Sequence, residues 1–151
     1  MKMMSDPNAD RKAWLSLLAK SPASDVARLW LDLGLSPNHR ILRAPEIGGV
    51  MVRGRAGAIG AAFNLGEMTV TRASVTLDCG TVGHGFVQGR DRDHALQTAL
   101  VDALMQTDTA ARIDANFLVP LRVAMKRRKN TRAAKSAATK VDFYTMVRGE
   151  D

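Results

Sequence analysis

The stretch Asp78-Cys79-Gly80-Thr81-Val82-Gly83-His84-Gly85-Phe86-Val87-Gln88-Gly89-Arg90-Asp91 decides the fold. Its first four residues are turn formers, and the residues from Val82 onward have strand composition, which places a strand near 82 to 89. A turn this short forces antiparallel pairing with the strand before it. Gly89 suits a corner, and Asp91 is a good N-cap for a helix. Behind it, Leu96, Ala99, Leu100, Ala103 and Leu104 recur at helical spacing and form an apolar stripe wide enough to cover one sheet face. An antiparallel sheet that hands over to a covering helix is an α+β architecture.

Upstream, period-two patterning and β-branched residues run from His39 to Gln88, with strands expected near 39 to 44, 49 to 55 and 68 to 77. Pro45 and Gly48-Gly49 mark a turn, and the Gly- and Ala-rich segment Gly54 to Gly66 reads as a loop with a short strand around Phe63. The sheet should hold about four to five strands. Before it lies a helical hairpin, since Trp14, Leu17 and Leu18, then Val26, Leu29, Trp30 and Leu33, recur at three-to-four spacing. Ser21 offers an N-cap hydroxyl, Pro22 fits a first helical turn, and Gly34 can close the second helix in a left-handed conformation.

Downstream of Leu104, Ile113, Phe117 and Leu118 continue the helical pattern until Pro120 breaks or restarts it. Residues 121 to about 139 are good helix formers, and Val141 to Val147 return to strand composition. Residues 1–120 are therefore read as a compact α+β domain, and residues 121–151 as a basic helical arm with a C-terminal strand, part of the same functional unit.

With 151 residues, 46% hydrophobic and 25% charged, the chain has the proportions of one globular domain rather than of a disordered or fibrous one. No apolar run approaches the roughly 20 residues that cross a bilayer, and no signal-peptide pattern opens the chain, so a cytoplasmic location is expected. The single cysteine excludes an internal disulfide framework or a multi-cysteine metal site; Cys79 is expected as a half-buried turn residue. The net charge of +7 is local. Residues 121–140 hold eight basic residues and no acid, which leaves 14 basic against 15 acidic residues elsewhere.

The middle turns of that segment are polar on every side, so they cannot pack as an ordinary core helix and should leave the body. The apolar terminal segment would then need a cover. Val141, Phe143, Tyr144, Met146, Val147 and Arg148 are the candidate docking residues, whether on a neighbouring subunit or on the chain's own sheet.

At the strand-to-helix corner, His84 and Gln88 share a strand face, with Arg90, Asp91 and His94 following and Arg72 able to join from the paired strand. Arg72, His84, Gln88 and Arg90 are candidates for anion binding or a polar interface. Competing assignments make Asp91 a cap and the histidines ordinary surface or interface residues. The glycines of Gly54 to Gly60 lack the Lys-Ser/Thr ending and spacing of nucleotide-binding loops. No nucleophile elbow, catalytic triad or metal-ligand spacing is evident. The basic arm could bind nucleic acid but lacks interleaved aromatics, so a small basic nucleic-acid-binding module is the alternative function.

Several segments together resemble the PhnG subunit family of the bacterial carbon–phosphorus lyase system. They are Thr71-Arg72-Ala73, Gly80-Thr81-Val82-Gly83, Val87-Gln88-Gly89-Arg90-Asp91 with His94-Ala95, Asp102-Ala103-Leu104-Met105-Gln106, Pro120-Leu121, and Val141-Asp142-Phe143-Tyr144-Thr145-Met146-Val147-Arg148-Gly149. The similarity runs from the Trp14 helix to the end of the chain. Leu96 stands where an acidic residue is expected and Tyr144 where Phe is usual. The resemblance implies an accessory subunit without catalytic residues of its own, in a cytoplasmic complex with PhnH, PhnI and PhnJ subunits and two copies of this chain. It further implies that the complex transfers an alkyl phosphonate onto the ribose C1 of MgATP with release of adenine. MgATP would be a substrate of the complex, and no cofactor would be bound by this chain alone.

Overall fold

A computed structural model describes residues 7–57 and 59–141. Two helices, α1 (Pro7–Lys20) and α2 (Ala23–Leu33), form the expected hairpin. Leu18, Val26, Leu29 and Leu33 enter the core, while Trp14, Leu17 and Trp30 pack half-buried against it. Gly34 closes α2 at φ 60°, in the left-handed region. The start of α2 differs from expectation. Pro22 is the N-cap residue, and the Ser21 hydroxyl donates back to the Leu17 carbonyl at 2.7 Å, so it finishes α1 rather than capping α2.

The sheet has three antiparallel strands, β1 (His39–Arg55), β2 (Ala62–Leu77) and β3 (Val82–Gln88), in that order. This corrects the expectation of four to five. The two expected segments 39–44 and 49–55 are one strand. Pro45, which cannot donate a ladder hydrogen bond, sits at a register shift between Arg43 and Glu46 instead of in a turn. The Gly- and Ala-rich segment is mostly strand as well, because Val52 pairs with Gly66, Gly54 with Phe63 and Arg55 with Ala62. Local composition favoured a loop; continuation of a 14-pair β1–β2 ladder into this segment overrides it. The β2–β3 turn falls at Asp78–Thr81 as expected, with Gly80 at φ 85°.

Since β3 pairs with β2 only between Thr76 and Val70, the ladder beyond Val70 is a two-stranded ribbon whose last pair is Arg55 with Ala62. No residue of β1 is buried.

Asp91 caps α3 (Arg92–Leu104), its carboxylate accepting from the His94 backbone N–H at 2.9 Å. The expected stripe along α3 proves wider, since nine of its 13 residues are buried. The helix packs on the sheet and against both helices of the hairpin, while α1 also meets β3 directly. The contact of α3 with β3 is made by small residues on both sides. A Cβ on Gly83 would collide with the backbone of Ala99 and Ala103, and one on Gly85 with the Ala95 carbonyl. Glycine is needed here for close approach rather than for a turn.

After α3 a short α4 (Ala110–Ile113) runs through a π-helical turn, Asp114–Leu118, into α5 (Val119–Ala138) without a break. Pro120 lacks the N–H that an interior helical residue donates, and the wider turn just before it absorbs the mismatch. Ile113, Phe117, Leu118 and Leu121 are fully buried and anchor this end on the domain; burial of Phe117 alone stabilises by about 2–3 kcal/mol. From Lys126 onward every described residue of α5 is exposed.

Candidate functional site

The centre of the polar structure is Asp102, a carboxylate with no exposed surface. Arg11 of α1 donates to it twice, at 3.1 and 2.7 Å, the Trp14 indole N–H donates at 2.9 Å, and the backbone N–H of His84 donates at 2.9 Å. Four donors satisfy the charge and tie α1, α3 and β3 together. The Arg11 guanidinium is held above its ordinary pKa, first by its hydrogen bond to Asp102. This hub depends on the glycines described above, because only their close approach brings the Asp102 side chain to the β3 backbone.

The strand-to-helix corner divides into two groups. His94 is buried, its ring Nε2 lies 3.0 Å from the Leu18 carbonyl, and burial lowers its pKa. It belongs to the core with the capping Asp91. Arg72, His84 and Gln88 lie instead on the solvent face of the sheet: Arg72 pairs across the ladder with Phe86 and with Glu46, His84 with Ser74, and Gln88 with Val70. His84 Nδ1 is 2.9 Å from the Ser74 hydroxyl. Glu46 bridges Arg43 at 3.5 Å and Arg72 at 3.9 Å, so the cation on this face already faces a carboxylate. Arg90 stands exposed beside Gly89, whose φ of 98° makes the corner. What this face offers chemically is a patch of hydrogen-bonding side chains around the half-exposed ring of Phe86.

A groove of about 420 Å³ runs beside that ring, lined by Arg11, Lys12, Leu15, Ser16 and Ala19 of α1. Among the described residues no three His, Cys, Asp or Glu side chains are grouped to hold a metal ion. No described helix is long and apolar enough to cross a membrane. Cys79 is exposed rather than half-buried, because its turn points away from the body; hydrogen bonding from Thr81 lowers its thiol pKa.

Of the docking residues read from the sequence, Val141 is described and is exposed. Phe143, Tyr144, Met146, Val147 and Arg148 lie outside the described residues, as does the expected terminal strand beyond Val141. The sequence reading missed the ribbon. Met51, Val52, Phe63 and Leu65 are all exposed along it, and the apolar run Val50-Met51-Val52 was the signal available.

Comparison with known proteins identifies the relatives of this architecture. The family model described as "Phosphonate metabolism protein PhnG" matches residues 9–149. The chain belongs to the PhnG family. It is 41% identical to the alpha-D-ribose 1-methylphosphonate 5-triphosphate synthase subunit PhnG of Rhizobium meliloti (strain 1021), in an alignment covering 95% of this chain and 92% of the relative. The PhnG match spans both the Asp102 hub and the C-terminal arm, so neither is peripheral to the family's shared sequence.

Proposed function

We propose that this chain is an accessory subunit of a phosphonate-activating synthase in organic phosphonate catabolism. The observation that carries the reading is the 41% identity, along 95% of the chain, to a protein named as a subunit of such a synthase. The assembled enzyme acts on MgATP and an alkyl phosphonate. A phosphonate oxygen forms a bond to ribose C1, the bond from C1 to adenine breaks, and adenine leaves with that electron pair and takes up a proton. The product is a ribose 1-phosphonate 5-triphosphate.

The chain's part in this is structural. PhnH, PhnI and PhnJ subunits are the proposed partners, with two copies of this chain in a cytoplasmic complex. Residues 121–151 act as an arm, on which Val141, Phe143, Tyr144, Met146, Val147 and Arg148 dock. Arg72, His84, Gln88 and Arg90 contribute a polar interface on the sheet and at its corner. Support for the arm comes from the exposure of α5 from Lys126 onward.

The test is growth. Deleting the gene should abolish use of methylphosphonate as the sole phosphorus source, and supplying this chain should restore it; undiminished growth of the deletion strain overturns the reading.

A further inference from the structure

The β1–β2 ribbon and the cationic half of α5 project from the same end of the domain. Gln88 closes β3 opposite Val70, and the ribbon continues beyond that point. α3 begins just after, and its His94 meets the Leu18 carbonyl at the end of α1. The next helix, α2, therefore starts at this end too. The continuous run from α4 through α5 lies antiparallel to α2, since Arg112 of α4 donates to the Leu33 carbonyl at one end and Arg128 of α5 meets Asp25 at 2.7 Å at the other. Lys129 and Arg132 still flank Lys20 and Pro22, and residues 133–138 continue past the body for about 9 Å. The ribbon, with residues 49–55 of β1, reaches about 23 Å.

The two prongs differ in chemistry. A two-stranded ribbon is marginally stable alone in water. This one carries Val50, Val52 and Met68 on one face and Met51 beside Glu67 on the other, with Phe63 and Leu65 exposed nearer the tip. The outer edge of β1 is unpaired among the described strands, a template for further pairing. On α5, Lys126, Arg127, Lys129, Arg132 and Lys135 have no acidic partner among the described residues, and no acid occurs between 121 and 140.

We infer that this forked end is a docking surface for one partner protein, which receives the ribbon in an apolar cleft and presents an acidic face to α5. Charge complementarity selects the acidic face, and the ribbon selects protein over nucleic acid, because its apolar side chains gain nothing from phosphates. The inference rests on the proposed membership in a multi-subunit complex, and it adds a surface separate from the C-terminal docking residues.

The experiment uses the full chain and the remaining subunits of the proposed complex. Met51→Glu with Leu65→Glu alters the ribbon, and Arg127→Glu with Lys135→Glu alters the arm; all four side chains are exposed, and an unchanged melting temperature of the free chain verifies the fold. Each pair should weaken association by about tenfold or more, and the arm pair should also reduce its salt dependence. Backbone amides of residues 49–55 and 62–69 should gain hydrogen-exchange protection on assembly. Assembly of both variants at wild-type affinity, or binding of RNA by the arm with ribbon substitutions inert, overturns the docking surface while leaving the complex intact. Failure of the unaltered chain to associate overturns the proposed function and this surface together.

Discussion

Arg11 grips Asp102 through two parallel hydrogen bonds across 91 residues of sequence, and that carboxylate is wholly buried. Removing the acceptor orphans Trp14 Nε1 and the His84 N–H as well as the guanidinium, whereas removing Arg11 leaves two donors in place. Asp102→Ala should therefore cost about 3 kcal/mol and Arg11→Ala about 2 kcal/mol, the smaller figure reflecting a guanidinium that is a third exposed. Urea unfolding measures both, and an Asp102→Ala variant within 1 kcal/mol of wild type would refute the hub.

Close packing of α3 on β3 leaves no space for a methyl group at Gly83 or Gly85, and what stands in the way is backbone. Either glycine changed to alanine should destabilise by about 3 kcal/mol, since the helix must move off the strand. Gly34→Ala is the control. Nothing lies within 4 Å of its added Cβ, so the cost is the left-handed backbone alone, about 1 kcal/mol.

Burial lowers the His94 pKa from its ordinary value of 6.5, so the unfolded chain takes up a proton more readily than the native one. This residue's contribution to stability is present above pH 6.5 and falls as the pH drops from there toward the depressed native value. The urea midpoint should decline between pH 7.5 and pH 5. His94→Gln, which cannot titrate and can still donate to the Leu18 carbonyl, should show a flatter profile over that range.

Deleting residues 141–151 should release the chain from its proposed partners while its melting temperature stays within a few degrees of wild type. The described part of this segment, Val141, is exposed. Co-purification at wild-type yield would remove these residues from the docking surface.

Elements specified by neighbours in sequence were legible from the residues alone. Gly34 and Gly89 sit at the positive φ values their positions demand, Asp91 caps α3, and the apolar spacing of α1 and α2 marks their buried faces. The ribbon was not legible, because Gly and Ala between residues 54 and 66 carry no strand preference and acquire their conformation from the pairing strand. Nor was the hub, whose partners Arg11 and Trp14 lie about 90 positions from Asp102 and meet it only after the helices pack. His94 shows the reverse error. Its place beside Arg90 in sequence suggested a surface cluster, whereas one helical turn carries it to the core side.

The turn from Asp78 to Thr81 lies at the end of the sheet opposite the fork, and it carries the chain's one thiol in an exposed position. A maleimide dye attached to Cys79 would thus tag every molecule once, at the end remote from the proposed interface. Assembly could then be followed by fluorescence anisotropy on the native sequence, with no engineered cysteine.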